Sequence, residues 1–306
     1  MSASPENAGP QTLQRKLIVT PRPGGFGAAI TGVDLAHMTQ GEADAVHQAY
    51  LDHQVIVIRD QDLTPDQLVE FSARFGPIGE QENNKFAHPE NDRVVILSNE
   101  IRPDGTAIGV VDAGDAWHSD SSHHEIPETA TILQSIRNTK TGGDTDFCDM
   151  YAAYESLPDA TKRRIEGRFG VHHVAKTLNP RVVVSTNRPG AKEYYEMQER
   201  TRPKVLQPLV RTHEETGRQA LFASPRFTIT IDGMDDAEAQ PLLDELFATI
   251  ENPAHQYRHK YQDRDVVVWD NRCIVHRATG GYALPDIRRM HRTTVLGKVR
   301  PFYRPN

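Results

Sequence analysis

The alternation of apolar and polar positions along the chain predicts many short strands and few helices. Val55–Ile58 is a run of four β-branched residues, which is typical of a buried strand. Seven further short apolar runs are strand candidates: 94–97, 131–133, 182–184, 220–222, 227–231, 266–269 and 293–296. This pattern favours a mainly β fold, a double-sheet β-sandwich or jelly roll with helices packed outside it.

Capping signals mark where the first helices begin. Thr39-Gln-Gly-Glu42 fits a capping box, and Thr64-Pro-Asp-Gln67 fits another with proline at the first helical position. The predicted helices span roughly 40–53, 65–75, 150–157 and 236–250. Pro241 should kink or restart the last of them. The apolar faces of the first two helices could pack on the sandwich or form contacts in a homo-oligomer.

The organisation of the chain indicates a single domain over residues 14–306, because no internal repeat or low-complexity run divides it. Residues 1–13 are polar and are expected to form a disordered tail. Three polar stretches, 79–92, 101–116 and 185–204, are predicted to be loops. The last of these could be a lid over a site or a surface insertion, and composition does not choose between the two.

Composition narrows the class of protein. The formal net charge is −7, so a nucleic-acid or anionic-membrane partner is not favoured. The two cysteines, Cys148 and Cys273, form neither a disulfide framework nor a CxxC motif. The N-terminus lacks the apolar stretch of a signal peptide, and no window approaches the roughly 18 apolar residues of a membrane helix. A cytoplasmic protein is expected.

A His-x-Asp pair is the first candidate for chemistry. On a strand, residues i and i+2 point to the same side, so such a pair supplies two metal ligands at once. An open iron(II) site commonly uses two histidines and one carboxylate, with the third ligand coming from elsewhere in the fold. The chain contains four His-x-acid pairs, beginning at His88, His118, His123 and His213, so spacing alone does not choose one.

The surroundings of one pair are far more specific than the pair itself. Trp117-His-Ser-Asp120 precedes Gly142-Gly-Asp-Thr-Asp-Phe147, and much later comes Trp269-Asp-Asn-Arg-Cys-Ile-Val-His276. Arg288 stands twelve residues after the last histidine. From about residue 25 to 303, the chain resembles the taurine dioxygenase and 2,4-dichlorophenoxyacetate dioxygenase (TauD/TfdA) family of iron(II)- and 2-oxoglutarate-dependent oxygenases. The resemblance implies a double-stranded β-helix, or jelly roll.

The resemblance also implies roles for individual residues. His118, Asp120 and His276 would bind iron(II). Arg288 would grip the distal carboxylate of 2-oxoglutarate, because its planar guanidinium matches a carboxylate with two parallel hydrogen bonds, and Thr145 would hydrogen-bond to the same group. Arg292 would lie near the metal and help to place an anionic group of cosubstrate or substrate. Family members consume 2-oxoglutarate and O2, release succinate and CO2, and hydroxylate an unactivated C–H bond.

The substrate is less defined by the sequence than the reaction. Taurine enzymes read the sulfonate partly with a histidine and an asparagine, and the corresponding positions here are about Gln81 and Gly114. Taurine is therefore not favoured, and a small organic acid (a carboxylate, sulfonate or sulfate ester) is expected. The candidate substrate-facing residues are Asn83, Asn84, Lys85, His88, Phe222, Phe227 and Arg292.

Two other classes of function stay open at this point. A zinc hydrolase could use two histidines, one carboxylate and a metal-bound water, but it has no use for Thr145 and Arg288. A non-catalytic binding protein could share the same sandwich, since fold alone does not specify function. Each residue also has an unremarkable interpretation. His276 could be a core histidine, Thr145 a turn residue, and Trp117 and Trp269 core packing.

Overall fold

The structure is a computed structural model. It describes residues 16–79, 84–111, 114–175, 178–179 and 191–305. The strands are β1 (Ile18–Pro21), β2 (Ala28–Thr31), β3 (Val55–Ile58), β4 (Ala87–His88), β5 (Asn91–Ser98), β6 (Ala130–Arg137), β7 (Thr145–Asp149), β8 (Phe169–His172), β9 (Val205–Pro208), β10 (Val210–Thr212), β11 (Gln219–Leu221), β12 (Thr228–Ile231), β13 (Gln256–His259), β14 (Val266–Asp270), β15 (Ile274–Ala278) and β16 (Arg289–Val295). The helices are α1 (Gln40–His53), α2 (Pro65–Ser72), α3 (Met150–Glu155), α4 (Asp159–Ile165), α5 (Ala191–Thr201) and α6 (Asp236–Ile250).

The strands form one large sheet and three small ones. The large sheet has the order β1-β2-β3-β14-β6-β16-β5-β4, and a three-stranded sheet has the order β13-β7-β15. The remaining strands pair as β12-β8-β9 and β10-β11. Side chains from the large sheet and from β7 share one apolar core, which contains Leu133, Phe147 and Trp269. The predicted mainly β jelly roll with flanking helices is confirmed.

Burial on both faces explains why β3 reads as a continuous apolar run. Val55 and Val57 point into the core shared with β7, whereas Ile56 and Ile58 point to the opposite face. On that opposite face α1 and α2 cover the large sheet, with Tyr50 of α1 among the buried side chains. A strand that is buried on both faces has no position for a polar side chain.

The capping boxes are present as the sequence predicts. Thr39 and Glu42 bond reciprocally at the start of α1, and Thr64 and Gln67 do so at the start of α2. The second helix ends at Ser72, earlier than predicted. Pro241 lies inside α6, which continues unbroken, because only one backbone hydrogen bond is removed there and the apolar face of the helix is buried.

The predicted loop at 185–204 differs from the structure in part. Residues Ala191–Thr201 form α5, because Ala, Lys, Glu, Met, Gln and Arg in this segment are good helix formers. Residues 1–13, the strand candidate 182–184 and residues 185–190 lie outside the described residues. A lid role for this segment stays a prediction. Among the described helices, none combines the length and the apolar character needed to span a membrane.

Candidate active site

His118 and His276 come together through a short antiparallel bridge between distant parts of the chain. The backbone N–H of His118 donates to the carbonyl of His276 at 3.0 Å, and the reverse bond measures 2.8 Å. His276 lies in the middle of β15, which follows β14 after a tight turn at 271–273. The two imidazole rings are 4.2 Å apart between centroids.

Asp120 completes a compact donor set with the two histidines. Its carboxylate oxygens lie 3.6 Å from Nε2 of His118 and 3.8 Å from Nε2 of His276. Nδ1 of His118 lies 2.8 Å from the carbonyl of Ala116, so the proton belongs on Nδ1 and the lone pair of Nε2 is free. All three donor atoms lie within 4.8 Å of one another.

Asp120 is held by hydrogen bonds from behind. Thr131 donates to Oδ2 of Asp120 at 2.6 Å, and Asn271 donates to Thr131 at 2.9 Å. The indole N–H of Trp269 donates to the amide oxygen of Asn271 at 3.0 Å. This chain fixes the carboxylate and orients it toward the histidines, as outer-shell partners do in metal sites.

The electrostatics of the donor set suit a cation. Burial alone would raise the pKa of Asp120, but His276, His118 and Arg292 outweigh it and hold that pKa well below its usual range. Burial, with His118 and Arg292 nearby, lowers the pKa of His276 to about 3, although Asp120 opposes the shift. The carboxylate is therefore charged and this imidazole neutral at physiological pH. Two imidazoles and one carboxylate fit a divalent iron ion on one face.

An open cavity of ≈ 450 Å³ lies in front of the donor set. Its walls bring together all the predicted iron and cosubstrate residues: His118, Asp120, Thr145, His276, Arg288 and Arg292. Leu97, Leu133, Trp269 and Ala278 supply apolar surface. Gly114 also lines the cavity with a φ of +80°, and a Cβ there would approach Cε1 of His118 to 2.9 Å. A side chain at this position would therefore collide with His118, a predicted metal ligand.

Arg288 and Thr145 form one end of the cavity. Nε of Arg288 donates to the carbonyl of Gly143 at 3.0 Å, which fixes the guanidinium. Of the described carboxylates, none lies within ion-pair distance of Arg288, although the residue is only 8% exposed. Thr145 begins β7 and its hydroxyl lies 3.1 Å from the phenol oxygen of Tyr261. A buried arginine without a protein carboxylate is well suited to an anionic ligand.

Arg292 lies on β16, lines the cavity and is close enough to Asp120 to lower the pKa of that carboxyl. Its Nε is buried without a hydrogen-bond partner among the described residues. The nearby carboxyl of Glu128 has its pKa raised to about 7 by burial and by Asp120, while Arg292 acts in the opposite direction. Sequence reasoning missed Glu128, because no motif marks it and only the fold brings it to Asp120.

Most of the other predicted substrate residues do not line this cavity. Phe222 is buried, and its ring stacks on the ring of His172 with 6.1 Å between the centroids. The guanidinium of Arg211 lies 4.9 Å from the centroid of the Phe222 ring. Lys85 is exposed beside Phe86, and His88 contacts the ring of His291 at 4.8 Å. Asn83 and Gln81 lie outside the described residues, and so does the side chain of Asn84.

Phe227 does not line the cavity either, but its ring contacts a predicted ligand. It lies 6.0 Å from the ring of His118 and 4.7 Å from that of His123. The guanidinium of Arg226 lies over its face at 4.5 Å. The Phe227 ring therefore stands beside the donor set, next to His118.

A second group of potential metal ligands, His213, Asp270 and Cys273, is buried away from the cavity. Nε2 of His213 lies 2.9 Å from Asp270, and Nδ1 accepts from the backbone N–H groups of Glu215 and Thr216. Arg272 donates two side-chain hydrogen bonds to Asp270, each 2.7 Å long. Both ring nitrogens of His213 thus form hydrogen bonds within the protein and are not available to a metal, so this group is a structural ion-pair cluster.

Comparison with known proteins agrees with this geometry. The model of the "Taurine catabolism dioxygenase TauD, TfdA family" matches residues 18–294. The chain belongs to this family. It is 34% identical over 253 residues to the alpha-ketoglutarate-dependent 2,4-dichlorophenoxyacetate dioxygenase of Burkholderia sp. (strain RASC), covering 80% of this chain and 82% of that protein.

Two further relatives extend the comparison. The (S)-phenoxypropionate/alpha-ketoglutarate-dioxygenase of Sphingobium herbicidovorans is 31% identical over 273 residues, which cover 85% of this chain and 88% of the relative. The crystal structure of a taurine dioxygenase from Burkholderia xenovorans superposes with a TM-score of 0.75 at 30% identity, covering 93% of this chain and 90% of that one. The resemblance that the sequence motifs suggested is confirmed, and the protein is a dioxygenase.

Proposed function

We propose that this dioxygenase hydroxylates an unactivated C–H bond of a small organic acid, with aryloxyalkanoic acids as the favoured substrate class. The reaction consumes 2-oxoglutarate and O2 and releases succinate and CO2. The observation that carries the substrate proposal is Arg292, a cation that lines the cavity beside the donor set and whose buried Nε has no hydrogen-bond partner among the described residues.

His118, Asp120 and His276 would hold iron(II), which with 2-oxoglutarate supplies the oxidising chemistry when bound. Arg288 and Thr145 would bind the distal carboxylate of the cosubstrate. The apolar side chains of Leu133 and Trp269 on the cavity wall would help to exclude water from the reaction. In this arrangement Asp120 would bind the metal, Arg288 would bind the cosubstrate carboxylate, and Arg292 would be left for the substrate.

The choice of substrate class rests on charge, shape and relatives together. Arg292 would bind a carboxylate, and the Phe227 ring beside His118 would contact a planar group. Two relatives are named for 2,4-dichlorophenoxyacetate and for (S)-phenoxypropionate, which both combine these two features. Gly114 offers no side chain where taurine enzymes carry an asparagine, so a sulfonate is less favoured.

The first test is an anaerobic titration of the metal-free protein with iron(II) and then 2-oxoglutarate, followed by visible absorption. A charge-transfer band that requires both additions, and is lost in His118→Ala, would support the iron and cosubstrate assignments. Absence of the band despite confirmed iron binding would contradict the assignments of the cosubstrate residues.

The second test measures succinate release with phenoxyacetate, 2,4-dichlorophenoxyacetate and taurine. Arg292→Gln is expected to raise the KM for the active acid about tenfold or more, because a charge-assisted pair is lost. Arg289→Gln is the matched control, since Arg289 pairs with Glu100 at 2.6 Å and does not line the cavity. Unchanged KM and kcat in Arg292→Gln, with an intact absorption band, would refute the proposed role of Arg292.

A further inference from the structure

Tyr261 lies directly behind Thr145 at the cosubstrate end of the cavity. The two hydroxyl oxygens are 3.1 Å apart, and Tyr261 is 5% exposed. Its ring packs against His259 at 4.5 Å between centroids. Thr145 lines the cavity, whereas Tyr261 does not. The phenol therefore reaches the cavity only through the threonine hydroxyl.

A count of protons shows that this pair has one donor to spare. Two hydroxyl groups carry two protons, and the bond between them uses one. Neither hydroxyl bonds to another side chain among the described residues. Burial raises the pKa of Tyr261 to about 12, against the opposing effect of Arg288, so the phenol keeps its proton at physiological pH. The unused proton is available at the cavity wall.

The position of Arg288 indicates what would accept that proton. Its guanidinium lies 5.4 Å from the centroid of the Tyr261 ring, and its Nε is already bonded to Gly143. The remaining N–H groups of the guanidinium and the spare hydroxyl proton thus lie in the same corner of the cavity. An anion with two or more acceptor oxygens would satisfy both.

We propose that Tyr261 is a positioning residue for the distal carboxylate of 2-oxoglutarate. Tyr261 donates its hydrogen bond to Oγ1 of Thr145, so the proton of Thr145 points to the carboxylate that Arg288 holds. This direction follows because Thr145 lines the cavity and the phenol lies behind it. The inference rests on the proposed function, which assigns Arg288 and Thr145 to that carboxylate.

Tyr261→Phe tests the proposal, because it keeps the ring and removes only the hydroxyl. The dissociation constant is measured by anaerobic absorption titration of the iron(II) protein with 2-oxoglutarate and, separately, with 2-oxopentanoate, which carries a methyl group in place of the distal carboxylate. The variant is expected to bind 2-oxoglutarate about fivefold more weakly, because the Thr145 hydroxyl is no longer held with its proton toward the carboxylate. Binding of 2-oxopentanoate should not change.

Tyr151→Phe is the matched control. The phenol of Tyr151 is buried and lies 3.1 Å from the hydroxyl of Thr216, away from the cavity. The Tyr151–Thr216 pair, like the Tyr261–Thr145 pair, joins a phenol to a threonine hydroxyl. Removal of the Tyr151 hydroxyl should therefore affect stability and leave both dissociation constants unchanged. A general loss of packing would weaken both ligands equally, whereas a positioning role weakens only the ligand with a distal carboxylate.

Thr145→Val gives an independent measurement at the same junction. The double variant Tyr261→Phe/Thr145→Val should bind 2-oxoglutarate no more weakly than Thr145→Val, because both changes break one chain of hydrogen bonds. Additive losses in the double variant, or equal ratios of the two dissociation constants in Tyr261→Phe and wild type, would overturn the proposal. Failure of the wild type to bind 2-oxoglutarate would instead refute the proposed function itself.

Discussion

Two groups of histidine and acidic side chains in this molecule look alike in composition and differ in what their atoms do. His118, Asp120 and His276 face a cavity, whereas His213 and Asp270 are buried beside Cys273. In the first group, the Nε2 atoms stand 3.6 and 3.8 Å from the carboxylate, too far for a hydrogen bond. In the second group the corresponding distance is 2.9 Å. In the first group the Nε2 lone pairs are free for a metal, whereas in the second group the ring nitrogens form hydrogen bonds within the protein.

Adjacent residues of one motif divide between these two regions. Asp270 ends β14 and pairs with Arg272 and His213, while Asn271 supports Asp120 through Thr131. The turn between β14 and β15 sends these two side chains in different directions. The same few residues therefore stabilise the fold and orient a predicted metal ligand.

The largest expected effect is from Asp120→Ala. Loss of a carboxylate ligand should abolish iron binding and turnover, beyond the roughly 10–100-fold cost in metal affinity of losing an outer-shell partner. Stability should change little, by about 1 kcal/mol, since the side-chain hydrogen bond lost among the described residues is the one from the Thr131 hydroxyl. Iron binding, succinate release and urea unfolding check the prediction. A variant that still binds iron with wild-type affinity would contradict the ligand assignment.

Asp270→Asn should have the opposite profile. It leaves the charge of Arg272 and the ring of His213 in the interior without their carboxylate, and we expect a loss of about 3 kcal/mol in the free energy of unfolding. This is the low end for a broken buried pair, because Glu215 still contacts Arg272 at 2.5 Å. Iron binding per folded molecule should be retained. If the variant were as stable as wild type but unable to bind iron, the second cluster would not be structural.

The smallest expected effect is on the pH dependence of stability in His172→Gln, which tests the effect of burial on a histidine without a charged partner in the described part of the chain. The buried ring of His172 has two hydroxyl partners among the described residues, Ser122 and Thr228, and burial lowers its pKa to about 3. The unfolded chain, with a pKa near 6.5, binds more protons between pH 3 and 6.5, so the stability is complete above that range and falls as the pH drops. His172→Gln should remove about 2 kcal/mol of the loss between pH 7 and 5. Urea unfolding of both proteins at these two pH values measures the difference.

His172→Gln should unfold with the same dependence on pH as wild type if the histidine is protonated in the folded state. That outcome would contradict the depressed pKa. Since the glutamine side chain can both donate and accept, the local hydrogen bonds to the two hydroxyls can be kept.

Much of the molecule was predictable where neighbouring residues decide the structure. The helix that follows Thr39, the strand Val55–Ile58 and the family motifs around Asp120 and His276 were identified from the sequence and lie where they were expected. Short strands such as β13 were missed, because their residues are mixed in polarity and gain their pairing only from β7. Phe222 was predicted to face substrate, yet it packs beneath His172.

The sequence by itself determined the helix caps and the buried strands, and it picked out the residues predicted to bind iron and cosubstrate, because these depend on local spacing or on motifs. Only the tertiary structure decided which atoms meet across long separations. The bridge of His118 to His276, the approach of Tyr261 to Thr145 and the place of Glu128 beside Asp120 are examples. Such contacts depend on the register of strands far apart in the chain, which the packing of the whole core sets.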